Sequence, residues 1–207
     1  MAPWSLSIHH ADRPPSDPRN GVLSVTVPAF ADVPAVVALL NTNLGDGLYG
    51  AASLQRDLRD PTARVLGAYD EQRLVGGAVS RLLGPIDVDY YERFGNTARA
   101  LFVTGPIGSI EALAVSPGSR RAGVGRSLLV DSLEWCRQQG CKDAVAISWL
   151  SGASGTSAPL FAAAGFTMGD AIPDFYLEDS LREGWSCPVC GGGCRCAGQL
   201  VYVSLRP

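Results

Sequence analysis

A chain of 207 residues and 21.7 kDa, 46% of it hydrophobic, suits one domain with a sizeable core. Its net charge of −3 and pI near 5.3 argue against nucleic-acid or anionic-membrane binding. No apolar run reaches the roughly 20 residues of a membrane span.

Residues 1–20 are polar with four prolines and no apolar centre, so they read as a disordered lead-in, not a signal peptide. Residues 21–207 read as the domain. A cytoplasmic location follows from this reading, and there the six cysteines are expected to be reduced or metal-bound. Gly21 to Val27 alternates and is β-branched, which predicts the first strand. Asp32 is the expected N-cap, and Pro34 marks the first turn, of a helix running to about Asn41. A break at Gly45 and Gly47 precedes a polar helical stretch from Ser53 to Arg59. Arg64 to Tyr69 and Arg73 to Leu83 form a hairpin around Asp70-Glu71-Gln72.

The irregular stretch from Gly84 to Pro106 reads as a surface insertion or a flap, its length favouring the insertion. Ile107 to Val115 is the next strand. Beyond a glycine loop, Leu129, Leu133 and Cys136 share one face of a helix ending at Gly140. Asp143 to Trp149 is a strand, Ser151 to Ser157 a small-residue loop, and Pro159 to Ala164 a short helix stopped by Gly165. Strands from Phe166 onward and from Gln199 to Leu205 complete the pattern.

The segment from Val115 to Leu129 runs from strand end through a basic glycine loop into an amphipathic helix. Gly123 and Gly125 leave room for a ligand to meet the unpaired N–H groups and positive dipole end of that helix, a cradle for a diphosphate. The loop is not a Walker A sequence, since no Lys-Ser/Thr pair follows the second glycine, and it lacks the spacing of a dinucleotide fingerprint.

Arg120-x-x-Gly123-x-Gly125 resembles the acyl-CoA-binding motif of the GNAT superfamily of N-acyltransferases. The resemblance extends to Ile110-Glu111-Ala112-Leu113-Ala114-Val115-Ser116-Pro117, similar to that family's fourth strand and its exit. It extends also to Leu160-Phe161-Ala162-Ala163-Ala164-Gly165-Phe166, similar to its LY-x-x-x-GF signature. It implies an α/β (α+β) fold with a mixed, mostly antiparallel sheet flanked by helices and splayed between strands 4 and 5. Acetyl-CoA is the implied cosubstrate. Its pantetheine arm would pair with the backbone of Leu113, Ala114 and Val115. Its diphosphate would sit on the N–H groups of Arg121, Ala122, Gly123, Val124, Gly125, Arg126 and Ser127, with Arg120, Arg121 or Arg126 screening the charge.

Amine acetylation needs a base, an oxyanion donor and an acid. Strand periodicity predicts Glu111, Leu113 and Val115 on one face and Ile110, Ala112 and Ala114 on the other. Glu111 is then the candidate base or a hydrogen-bonded strand glutamate, and the N–H of Val115 or Leu113 the implied oxyanion donor. The chain departs from the family pattern at the acid: Phe161 stands where many members have tyrosine, and Ser154 where asparagine is usual. Tyr176 is the candidate substitute, with a packing role as its alternative.

Cys187, Cys190, Cys194 and Cys196 fall within ten residues, suited to a structural zinc, though the tight Cys-x-Cys pair leaves reversible disulfide chemistry open. The cluster reads as a metal-clipped connection that orders a loop flanking the acceptor site. Neither His9 nor His10 is needed as a ligand, and Arg195 as the cluster's only basic residue argues against nucleic acid. Cys136 and Cys141 read as buried apolar residues. The expected function is acetyl-CoA-dependent N-acetyltransfer to a primary amine, of a small molecule in preference to a protein N-terminus or lysine, with a homodimer reasonable for the fold. A non-catalytic acyl-CoA sensor or interaction module is the alternative. Asp87, Asp89, Glu92 and Asp174 read either as acids that attract a cationic amine or, the favoured reading, as solvated surface.

Overall fold

The computed structural model describes residues 23–103, 105–151 and 157–206. The lead-in with His9 and His10, the first two residues of the expected first strand, and Ser154 lie outside the described residues. Seven strands, β1 (Leu23–Thr26), β2 (Ala63–Asp70), β3 (Arg73–Leu83), β4 (Ile107–Val115), β5 (Asp143–Leu150), β6 (Thr167–Ile172) and β7 (Ala197–Ser204), make one sheet of order β1-β2-β3-β4-β5-β7-β6. All neighbours are antiparallel except β4 and β5.

Helix α1 (Val33–Leu44) buries Val33, Val36 and Leu40, a helical stripe that packs on Val79, Ala112 and Ala114. Asp32 takes the N-cap position but makes no capping bond; its carboxylate accepts from the Tyr69 hydroxyl at 3.1 Å instead. A short α2 (Ala51–Asp57) packs Leu54 beside it. On the opposite face lies α5 (Val124–Gln138), whose Leu129, Leu133 and Cys136 are buried together as the periodicity requires. Cys141 joins the same core.

The approach of α5 to the sheet depends on Gly76 in β3. A Cβ there would lie 2.9 Å from Val124 Cγ1, 3.0 Å from Leu128 Cδ1 and 3.2 Å from the Ala114 carbonyl. Val124 and Leu128 are buried in the core and the third atom is backbone, so none can give way freely and Gly76→Ala is expected to destabilise by about 1–3 kcal/mol. Urea unfolding with an unchanged m value and a lowered midpoint is the measurement.

The segment from Gly84 to Pro106, read as an insertion or a flap, contributes to the core and, through Tyr90, to the cavity described below. It folds into α3 (Val88–Tyr91) and α4 (Gly95–Val103), burying Tyr91, Phe94, Ala98 and Leu101 against Ile107, Val145, Phe175 and Leu200. Its apolar residues are spread among charges over two short helices, too few turns for a helical period to emerge. Helix α6 (Ala158–Ala163) packs Phe161 beside the α5 core, and α7 (Leu177–Glu183) follows β6. No helix of the described residues is long and apolar enough to cross a membrane.

Candidate active site

The site begins where the parallel pair β4–β5 comes apart. Strands β4 and β5 are paired from Ile107 with Asp143 to Ile110 with Ala146 and no further. Beyond this point β5 continues against β7 while β4 continues against β3, so the two strands diverge. The gap opens a cavity of about 630 Å³, with Ile110, Glu111, Ala112 and Leu113 on one wall and Ile147 and Trp149 on the other.

At the mouth of the splay β4 carries a bulge. Ala112 pairs with Val79 and Ile110 with Ser80, leaving Glu111 as the extra residue. The bulge reverses the expected facing at Ile110 and Glu111, while Ala112 and Ala114 on one face and Leu113 and Val115 on the other keep it. Ile110 packs with Leu129 and Leu133 on the α5 side, and Leu113 contacts that same cluster. Ala112 and Ala114 pack under α1, and Glu111 turns toward Arg81, which also pairs with Asp57 of α2. A strand period holds only without an inserted residue, and a bulge has no side-chain signature that would announce one.

Glu111 accepts from Arg81 Nε at 3.2 and 3.3 Å, while Arg81 also reaches Asp57 at 3.0 Å and Asp60 at 3.9 Å. Burial pushes the Glu111 carboxyl above the ordinary carboxylate range, and Arg81 pulls it only partly back. Near it stands Tyr49, which sequence reasoning passed over. Asn41 fixes its backbone from both sides, accepting from the Tyr49 N–H at 2.8 Å and donating to the Tyr49 carbonyl at 2.9 Å. Burial first, and then the Glu111 charge, raise the Tyr49 phenol, so it stays protonated.

The far end of the cavity is aromatic and acidic: Tyr90, Tyr176 and Trp185, with Asp179, Glu183 and Arg182 from α7. Asp179 and Glu183 share Arg182 at 2.6 and 3.0 Å. The expected Tyr176 thus lines the same cavity as Glu111, and burial raises its phenol well above the usual value. Arg93 holds the preceding residue, donating to the Phe175 carbonyl at 2.9 Å and lying 4.0 Å over its ring. Three of the four acids of the sequence reading have partners outside the cavity lining: Asp87 accepts from the Gly84 N–H, Glu92 pairs with Arg99, and Asp174 with Arg195.

The glycine loop follows the C-terminal end of β4, the end toward which β4 and β5 diverge. Arg121 (φ 65°) and Gly123 (φ 83°) both occupy the left-handed region, and Gly123 is the residue before α5. Nothing lies within 4 Å of a Cβ placed on Gly123, so the ground before the helix N-terminus is open. Gly125 is enclosed by Leu113, Val115 and Leu160 at 3.4–3.6 Å. Arg120 faces back into the protein, its Nε donating to the Val115 carbonyl at 3.2 Å and its Nη2 to Asn43 Oδ1 at 2.9 Å. Arg121 and Arg126 are exposed beside the loop, as are Ala122 and Gly123; Val124 is buried and Ser127 half-buried. Phe161 is buried against Phe166, with ring centroids 4.9 Å apart, and its face closes the cavity beside Ser157.

Between α7 and β7 the ligand atoms of Cys187, Cys190, Cys194 and Cys196 all lie within 4.8 Å of one another. All four are free thiols, and the N–H groups of Val189 and Cys190 point to Cys187 Sγ at 3.4 Å. This set has the donors and compactness to hold a metal ion.

Sheet order, splay and helix-terminal loop together define the GNAT fold. The sequence profile described as the Acetyltransferase (GNAT) family matches residues 39–166, and the chain belongs to that family. Among solved structures it is similar to the ribosomal-protein-S18-alanine N-acetyltransferase of Escherichia coli, at 13% identity and TM-score 0.60 over 90% of this chain and 96% of that one. The ribosomal-protein-alanine N-acetyltransferase of Brucella melitensis gives 19% and 0.59, over 88% and 99%. The acetyltransferase yncA of Salmonella typhimurium, termed putative and solved with its cofactor acetyl-CoA, gives 16% and 0.60, over 90% and 95%. At these identities the likeness is one of fold. No curated protein sequence matches the chain.

Proposed function

We propose that the protein transfers the acetyl group of acetyl-CoA to the primary amine of a small cationic molecule, by direct attack of the amine on the thioester. The observation that supports this most is the position of Glu111, on a bulge at the mouth of the strand gap and inside an aromatic cavity with acidic residues. In this reading the loop from Arg121 to Ser127 grips the diphosphate through its N–H groups, with Arg121 and Arg126 beside it. The pantetheine arm adds to the free edge of Leu113, Ala114 and Val115. A main-chain N–H of Leu113 or Val115 faces the carbonyl oxygen as charge develops on it.

Glu111 takes the proton of the incoming ammonium, directly or through water, and Arg81 holds the carboxylate in place. Phe161 has no proton to give, and Tyr176, kept protonated by burial, supplies one to the departing sulfur and is restored by the second proton that the nitrogen sheds as the tetrahedral intermediate collapses to the amide. Three carboxylates line the cavity against the Arg182 guanidinium, with Arg81 behind Glu111, and together with Tyr49, Tyr90, Trp149 and Trp185 they suit a cationic acceptor. The four cysteines hold a structural zinc; four thiolates leave no open coordination position, so no step of the reaction passes through it.

Thiol release from acetyl-CoA over a panel of small cationic amines and of peptides tests the reading. Turnover is expected with small amines and weak or none with peptides. Tight coenzyme A binding without turnover of any amine would leave the non-catalytic module, the reading that Phe161 favours.

A further inference from the structure

The cysteine cluster does more than close its own hairpin, because three walls of the acceptor half of the cavity converge on it. Ser186, next to Cys187, exchanges both backbone hydrogen bonds with Asp46 at 2.8 Å, which ties the cluster to the loop bearing Leu48 and Tyr49. Ser180 of α7 accepts from the Cys194 N–H at 2.8 Å and donates to the Leu177 carbonyl at 2.9 Å, tying in the helix that carries Asp179. Cys196 leads directly into β7, whose Ala197 pairs with Leu150 beside Trp149.

Trp185 is packed into the same cluster of side chains as three of the cysteines and rims the cavity. A Cβ on Gly45 would come within 2.9 Å of its ring, so the glycine break after α1 is the seat of this tryptophan. The hairpin has no apolar core of its own: Pro188, Val189, three glycines and Arg195 fill the space between the cysteines, and Val189 is exposed. The sulfur separations of 3.9 Å for Cys187–Cys196 and 3.4 Å for Cys190–Cys196 bracket the ~3.8 Å that tetrahedral thiolates take around zinc. The coenzyme half is built separately, on β4, α5 and α6.

We propose that one zinc ion on Cys187, Cys190, Cys194 and Cys196 fastens the acceptor half of the cavity, so that metal occupancy sets acceptor affinity while coenzyme A affinity is independent of it. The turnover arm of this proposal rests on the acetyltransferase reading; its metal and binding arms do not.

The test uses the wild-type chain, measured for zinc as purified, then stripped with a chelator under reducing conditions and reloaded with zinc alone. One zinc per chain is expected. Stripping is expected to shift tryptophan emission to the red as Trp185 and Trp149 meet water, and to raise the acceptor KM about tenfold or more by unfixing several wall side chains. Calorimetric coenzyme A affinity and far-UV circular dichroism are expected to stay as they were, and zinc to reverse both changes. Less than half an equivalent of zinc with no uptake on reloading overturns the proposal. So does a stripped protein with unchanged emission, or one that loses coenzyme A affinity or its overall fold. If the zinc-loaded protein acetylates no amine, the acetyltransferase reading falls; the zinc, emission and coenzyme A measurements still decide for or against the clamp.

Discussion

Glu111→Gln is expected to lower kcat/KM by about 10²–10³, the range in which a positioned general base contributes, with coenzyme A affinity unchanged. The substitution keeps the shape and a hydrogen-bond acceptor beside Arg81 while removing the charge. Arg81 is not left unpaired, because Asp57 at 3.0 Å and Asp60 at 3.9 Å remain. A stability change under about 1 kcal/mol is therefore expected, as for other partly exposed pairs. Burial raises the Glu111 carboxyl above its ordinary value, so in the wild type kcat/KM should rise with pH through a limb above about 4.3, the usual glutamate pKa. That limb should vanish in the variant. At alkaline pH the amine arrives already neutral, and the gap between the two proteins should narrow. Rates that match the wild type across the whole pH range would remove Glu111 from the mechanism.

The same raised pKa has a consequence for folding. The native state holds this proton more tightly than the unfolded chain does, so the group favours folding at acid pH. Its contribution is lost as pH rises through the folded pKa. The glutamine variant should lack this part of the stability profile, which urea midpoints across pH would show.

Much of this architecture is legible in the residues, and the misses have physical causes. Local patterns sufficed for the β2–β3 hairpin, for α5 with its stripe of Leu129, Leu133 and Cys136, and for β4 at its observed bounds. The glycine loop was readable because positive φ and an open helix terminus demand a particular residue type at Gly123. The facing of Glu111 was not. It depends on one inserted residue in the pairing with β3, a property of two strands that neither encodes alone.

The acceptor wall was hidden for a related reason. Tyr49, Tyr90 and the pair Asp179 and Trp185 come from three separate stretches and meet only after folding. Gly45 and Gly47 looked like a plain break, and their purpose as a seat appears only once Trp185, some 140 residues later, is laid on them. Helix α7 is seven residues of mostly polar sequence, and it is held by its ties to the cysteine segment more than by an apolar stripe.

Gly123→Asp is expected to separate coenzyme binding from folding. The residue has φ 83°, and its open side leaves room for a side chain. Aspartate is among the few residues that tolerate the left-handed region, at a strain of about 1 kcal/mol. A carboxylate before the N-terminus of α5 regains about 0.3–1 kcal/mol from the helix dipole, so the melting temperature should move by only a few degrees. The ligand sees the opposite. The new carboxylate takes the N–H groups that would hold the diphosphate and repels its charge. Losing two charge-assisted hydrogen bonds at about 1.5–3 kcal/mol each corresponds to a fall in affinity of roughly 10²–10⁴-fold. Gly123→Ala is the control, since it brings the strain without the charge and should weaken coenzyme A much less. Calorimetry on the three proteins, with thermal unfolding in parallel, reads both quantities. Equal coenzyme A affinity in the aspartate variant and the wild type would mean that the diphosphate is held somewhere other than this loop.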